Sequence, residues 1–473
     1  VTHRQHAPRE PWKSPKAERE GSPVRHALFP PSTRFRSRNR KRTSTEVSRV
    51  SNPVLPRERS HPMTSTRPTV EFDHHSPEFA ADGDRISAEL RSRCPVSWTE
   101  SYDGFWVVAS HQGVTESLRD RDRCSTKKTF TADGTPVGGV SIPAPPQPCN
   151  IPEETDPPEW DGYRGALNPH FSPTAIRRRR DRIEALTTEV INKVIEKGEL
   201  DLVMDLANPV TALATLDLLG LPLNTWKFYA EPIHRITYEP YNAEVQAQIG
   251  QIFVQLLDIV KERRDNPRQG LIDDMIAVKI DGEHMPDEDL QALFWLMLLG
   301  GFDTTATLIT GSLFWLDEHP ENKQRLLTDD KLLQTATEEF VRWISPVAGL
   351  ARTAAKDFQV EGQTVTAGER MLMMFRSANY DEKVFDNPAE VDLERFPNRH
   401  LGFGTGIHRC LGSHLARTIF QVVLRQVLTR MPDLKIDRAE SHKIPDLGVV
   451  NSFIAMPATF TPGSRIPSGV CLD

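Results

Sequence analysis

After Ser172-Pro173, apolar residues recur at helical spacing: Ile176, Ile183, Leu186, Val190 and Val194 share one face, and Gly198 closes the run. The same pattern predicts helices near Val210–Leu219, over Asn242–Glu262 and from about Pro286 to Glu318, with helices dominating through Trp343 and a further run from Ser413 to Thr429. Phe105–Ala109 follows an Asp103-Gly104 turn and predicts an early strand pair. Phe358–Val365, Arg370–Phe375 and Val449–Phe460 read as later strands. Between Cys124 and Asn150 the chain is rich in Gly and Pro and has no period, which predicts a long functional loop. The whole is mainly α with a smaller β portion and no internal repeat. The longest apolar stretch, Ala292–Phe302, is too short to cross a bilayer and reads as a buried helix, so no membrane anchor is expected.

The pattern fails before Met63. Residues 1–62 hold 15 Lys or Arg against 5 Asp or Glu, and this +10 inside a net charge of −7 leaves −17 on the rest. Such a segment, with RFRSRNRKR at its centre, buries no core and is expected to be disordered. Its readings are a nucleic-acid or anionic-surface arm, a transit peptide, or sequence upstream of a true start at Met63; the last is preferred, because nothing in the segment specifies a site. Residues 63–473 then form the working domain.

Five cysteines show no CxxC or CxxH spacing, which fits a reducing cytoplasm and excludes a disulfide framework. Cys410 differs from the others. It ends the stretch Leu401-Gly-Phe-Gly-Thr-Gly-Ile-His-Arg-Cys410-Leu-Gly412 and stands at the mouth of a helix, where the dipole and free N–H groups favour a thiolate. Gly404, Gly406 and Gly412 remove side chains where a flat macrocycle would approach the backbone, and Phe403 offers a packing surface for it. A thiolate on haem iron favours O–O cleavage. The bland alternative is a small buried cysteine in a glycine-rich turn.

Two more constellations stand in the chain. Glu339 and Arg342 lie at i and i+3 on a helix and can pair, and Arg395 lies in Glu394-Arg-Phe-Pro397. Gly300-Gly-Phe-Asp303-Thr304-Thr305 interrupts the long apolar helix with residues that loosen it, because Gly costs about 1 kcal/mol against Ala and a Thr hydroxyl can bond back to the preceding turn.

With these motifs in this order, the chain from Met63 to Phe460 resembles the cytochrome P450 family, of the soluble bacterial type. Phe403, Gly406, Cys410 and Gly412 match its cysteine loop, Glu339 and Arg342 its E-x-x-R pair, Arg395 the arginine that joins that pair, and Gly300–Thr304 its distal-helix motif. The resemblance implies the cytochrome P450 fold, with haem b held between the long distal helix and the cysteine-loop helix. It implies Cys410 as the iron ligand, Thr304 as a hydrogen-bonding partner for oxygen and Asp303 as an aid to proton delivery. His408, Arg352 and Arg164 match propionate-binding positions. Trp160 replaces the commoner histidine of H-x-x-x-R, and its indole N–H is a donor too.

The implied activity is monooxygenation: one atom of O2 enters a small or medium hydrophobic substrate by hydroxylation or oxidative demethylation. Electrons would come from NAD(P)H through a separate reductase and ferredoxin. The alternatives are a peroxide-driven peroxygenase, against which Asp303 and Thr304 argue, and a non-catalytic haem sensor. The expected pocket is apolar, with Phe294, Leu298, Phe302, Val347, Leu350, Val450 and Phe453 as lining candidates. A cytoplasmic monomer is expected, without a nucleic-acid partner.

Overall fold

Polar residues set where the helices begin. The computed structural model describes residues 67–444, 450–470 and 472; the head (1–62), Val449 and Cys471 lie outside the described residues. Ser76 and Ser110 cap α1 (Pro77–Arg93) and α2 (His111–Arg119), each hydroxyl accepting a backbone N–H at 3.0 Å. The run predicted as one helix after Ser172 divides. After α3 (Glu159–Leu167) come α4 (Pro173–Arg177) and α5 (Arg180–Asn192), separated where Arg179 turns, with Arg182, onto Asp217.

Asp217 belongs to α6 (Asn208–Leu219), every other residue of which is buried. A helix apolar on all sides belongs at the centre of a core. Against it pack α5, α7 (Trp226–Ile236) and α9 (Leu271–Ala277), while α8 (Ala243–Asp265) packs on α7 and α9. The one-sided apolar spacing of α7 (Trp226, Tyr229, Ala230, Ile233) carries Pro232 within it, a residue that argues against a helix interior. Asn242 caps α8, accepting from Glu244 N and Val245 N at 3.0 and 3.3 Å.

The predicted long helix is two, α10 (Asp287–Gly301) and α11 (Asp303–Glu318), which meet at Phe302 with non-helical φ −88° and ψ −80°. Residues 287–318 and 202–219 are apolar and long enough to cross a membrane by composition, contrary to the reading from uninterrupted runs. They are mostly buried within the protein, as core helices are. The chain then forms α12 (Glu321–Thr328), α13 (Asp330–Ile344), α14 (Phe375–Asn379) and α15 (Ser413–Arg430). α11 packs against both α13 and α15.

A five-stranded sheet flanks the helices. Val96–Thr99 pairs antiparallel with Phe105–Val108, which runs parallel to Arg370–Met373. That strand pairs antiparallel with Leu350–Ala354, and Cys124–Ser125 closes the edge. Phe105–Val108 is buried throughout because its alternate residues enter two cores: Trp106 and Val108 one, Phe105 and Val107 the other. The supposed loop after Cys124 contains a hairpin, Lys128–Phe130 with Pro136–Gly138. Lys128 fastens it from inside, donating to Gln147 O at 2.8 Å with its ammonium 3.8 Å from the buried Glu154. A buried cation with these partners was not visible as a period.

Candidate haem site

Cys410 lies three residues before α15, and its backbone N–H donates to Phe403 O at 2.9 Å, closing the loop on itself. Its side chain is exposed. Protein nonetheless crowds the sulfur: burial pushes the thiol up, against the Gly412 N–H and the Arg164 charge, which favour the thiolate. The helix-mouth effect is present here but smaller than the desolvation.

Gly406 needs its lack of a side chain for a different reason from the one its spacing suggests. It has φ +72°, and a Cβ would stand 2.1 Å from Leu118 O at the end of α2. It seats the loop on α2 and makes no space for a cofactor. Phe403 is half-buried, with the Arg417 guanidinium 4.3 Å above its ring. Arg417 also donates to Glu338 at 2.6 and 2.7 Å.

The brace behind the loop is complete. Glu339 and Arg342 are both fully buried, and Arg342 donates to the two Glu339 oxygens at 2.8 and 2.7 Å. Its other donors reach Asn379 O, Pro388 O and Glu390 O. Glu339 accepts further from Arg395, Asp392 N and Asn398. Burial alone would raise its pKa, but Arg342 and its other partners hold it below the usual carboxylate range.

In the break of the distal helix, Gly300 is exposed although it lies within α10, and nothing stands within 4 Å of where its Cβ would be. Thr304 Oγ1 donates to Gly300 O at 2.8 Å, the back-bond expected to loosen the turn. Asp303 instead turns into the protein, with His234 Nδ1 3.2 Å from both carboxylate oxygens.

Counting by fours from Thr304 reaches Gly300 and the partly exposed Leu296, whereas Phe302, Leu298 and Phe294 form the opposite stripe. Those three are at most 1% exposed, so they belong to the helical core and line no cavity, which corrects the pocket expectation. Phe453 is likewise buried, packed on Phe314 at 5.1 Å. Val347, Leu350 and Val450 remain partly exposed, with Val347 and Val450 joined in a β-bridge.

Beside the cysteine loop gather Arg352, Arg164 and His408, and burial and Glu154 push the nearby Glu153 carboxyl up to about 7 against the pull of Arg352. Arg352 is buried, and its one hydrogen bond among the described residues goes to the carbonyl of its own neighbour, Ala351. Arg164 donates to Arg409 O at 2.7 Å, next to Cys410. Burial, Arg352 and Arg164 together push the His408 pKa down to about 3, and its Nε2 lies 3.2 Å from Thr126 Oγ1. Trp160 packs edge-on to His408 at 5.6 Å, and its buried Nε1 has no partner among the described residues. Two guanidinium groups, an imidazole and an orphaned indole N–H fit a flat group bearing two carboxylates.

The family described as Cytochrome P450 matches residues 179–449. The chain belongs to the cytochrome P450 family. It is 32% identical to a steroid C26-monooxygenase of Mycobacterium tuberculosis, over 76% of this chain and 96% of that protein. A Mycobacterium marinum cytochrome P450 in complex with pseudoionone superposes with a TM-score of 0.74 at 29% identity, over 84% of this chain and 100% of that one. A Bacillus megaterium cytochrome P450 in complex with testosterone gives 0.70 at 26%, over 82% and 100%. The protein is a cytochrome P450 monooxygenase, the expected mainly α architecture is the P450 fold, and the family's cofactor is haem. Sequence reading missed Thr126, His234 and Leu296; only Leu296 had a signal, the four-residue step from Thr304.

Replacing Glu339 by Gln leaves Arg342 and Arg395 short of a buried counter-charge. Chemical denaturation should show a loss of about 3–5 kcal/mol, with less haem retained. Glu338 yields a pH prediction. Burial would raise its pKa, but Arg417 and His400 win and hold it at about 2, from an ordinary value of 4.5. Its contribution is full above that ordinary value and fades as pH falls toward about 2. Acid titration followed by circular dichroism should show a shallower loss of stability across this window in Glu338→Gln.

Proposed function

We propose that this P450 inserts an oxygen atom into a small or medium hydrophobic molecule of steroid or terpenoid size, with haem b as cofactor and Cys410 as its thiolate ligand. The observation that carries the reading is the presence of an exposed Cys410 thiol together with an exposed Gly300 and a partly exposed Thr304 on a helix that is otherwise largely buried. The names of the relatives support the substrate class: steroid C26-monooxygenases, and structures holding testosterone and pseudoionone. Val347, Leu350, Val450 and Leu296 supply the partly exposed apolar surface that such a molecule needs. Electrons would come from NAD(P)H through a separate reductase and ferredoxin.

Haem, when bound, supplies the redox chemistry that activates O2. The chain supplies the rest. Arg352, Arg164, His408 and Trp160 would hold the propionates, the first of them gaining a hydrogen-bonded carboxylate. The brace at Glu339 keeps Cys410 in place, and the Gly412 N–H steadies its negative charge. Thr304 offers a hydroxyl at the loosened turn, and Asp303 beside it can carry protons, so that oxygen is reduced without release of peroxide.

The reduced, carbon-monoxide-treated protein should show the long-wavelength Soret band of a thiolate–haem–CO complex. Cys410→Ser should bind haem without it, and a normal band in that variant would overturn the ligand assignment. With surrogate ferredoxin and reductase, and testosterone or pseudoionone as probe, Thr304→Ala should lose product about 10-fold or more while NAD(P)H consumption continues as peroxide. Unchanged product yield would remove Thr304 from the proton path.

A further inference from the structure

Asp303 and His234 form a pair with almost no access to water. Their exposures are 3% and 1%. His234 stands on α7, nearly seventy residues before Asp303, yet its Nδ1 lies 3.2 Å from each Asp303 oxygen. No other side chain among the described residues hydrogen-bonds that carboxylate. A carboxylate removed from water needs a cation or several donors, and here the partner is the one side chain whose charge changes near neutral pH.

The surroundings add no competing base or cation. His234 Nε2 lies 3.4 Å from Ile454 O, on the strand Phe453–Ala455. Tyr238, on the last turn beyond α7, meets the imidazole edge-on at 5.4 Å. Asp201, at the end of strand Glu199–Asp201, adds a more distant negative charge, and its carboxylate is already engaged by Val203 N and Met204 N. The only ionisable residue of α6, Asp217, is taken by Arg179 and Arg182. Burial alone would lower the His234 pKa, but Asp303, Ile454 O and Asp201 together raise it.

We propose that His234 is a positioning residue for oxygen activation: as an imidazolium it holds Asp303 against α7 and supplies the proton that Asp303 carries toward Thr304. The Nδ1–H bond breaks as an Asp303 O–H bond forms. The ion pair thereby becomes two neutral groups, and the attraction that kept the carboxyl turned inward falls. A neutral acid one residue from Thr304 can then swing to the exposed side of the helix. The carboxyl, recharged with a proton on the exposed side of the helix, swings back and returns that proton to Nδ1, which restores the pair. The inference rests on the reading of Asp303 as a proton carrier.

The sign follows from the raised pKa. The stabilising pair is complete at low pH and is lost as pH rises through the folded-state value, above which the imidazolium population falls about tenfold per pH unit. His234→Asn is the informative variant, because the Asn amide can place a donor where Nδ1 stands but cannot titrate; His234→Gln serves if it folds poorly. Two measurements on haem-loaded protein are needed. The melting temperature of the wild type should decline with rising pH through one histidine titration, and that step should be missing from His234→Asn. The rate of product formation with NAD(P)H and a surrogate reductase and ferredoxin, which deliver both electrons that O–O cleavage needs, should fall over the same pH range and slow in D2O. His234→Asn should run at the wild type's high-pH rate throughout.

Identical pH profiles in wild type and His234→Asn would overturn the role of His234. Asp303→Asn separates the two ideas. If it changes the rate of product formation while His234→Asn does not, the relay begins at Asp303 and only the His234 inference fails. If neither variant changes the rate, the reading of Asp303 as proton carrier fails as well.

Discussion

A fully buried carboxylate has no water to solvate it, and Glu339 is such a group. Left alone it would cost several kcal/mol or take up a proton. Arg342 and Arg395 supply charge, while Asp392 N and Asn398 satisfy the remaining lone pairs. The arrangement is a structural commitment, since each partner comes from chain that must arrive at one point. Arg342 collects the carbonyls of residues 379, 388 and 390 with the donors that Glu339 leaves over. Asn379, so placed, accepts from Leu401 N at 2.6 Å and thereby fixes the start of the cysteine loop. Desolvation of one side chain on α13 is in this way converted into the position of Cys410.

The distal helix obeys a different constraint. The α10–α11 helix is long, apolar and mostly buried, and it opens at Phe302, where glycine and threonine weaken the backbone ladder. One stripe of that helix enters the core with Phe294, Leu298 and Phe302; the other presents Gly300 and Thr304. Charge completes the site. Burial, Arg352 and Arg164 depress His408, and no carboxylate among the described residues hydrogen-bonds Arg352, so the cluster would gain stability when a dianionic cofactor enters. Cofactor binding and local stability are coupled through these groups.

Much of this was legible in the sequence, because the chemistry sits in short motifs with strong local reasons. An i,i+3 acid–base pair, a cysteine before a helix and a Gly-Gly-x-Asp-Thr break each carry their own geometry. The helices that bury one face, such as α5 and α8, were legible for the same reason. Failures have two physical sources. Helices of little more than one turn, such as the five-residue α14, are too short to show a period. Contacts that depend on tertiary approach, such as Gly406 on Leu118 or His234 on Asp303, have no local signature at all. The choice of Phe294, Leu298 and Phe302 as pocket residues took the wrong stripe of the right helix. Apolar side chains are needed on both stripes there, and hydropathy does not distinguish a core from a pocket.

The central claim is that the buried brace at Glu339 exists to present the Cys410 sulfur to iron. Iron K-edge X-ray absorption on the purified, haem-loaded protein tests it most directly. The account predicts one sulfur neighbour in addition to the porphyrin nitrogens in the wild type, and its loss in Cys410→Ser. A first shell of nitrogen and oxygen alone in the wild type, or a sulfur that persists in the variant, would contradict it.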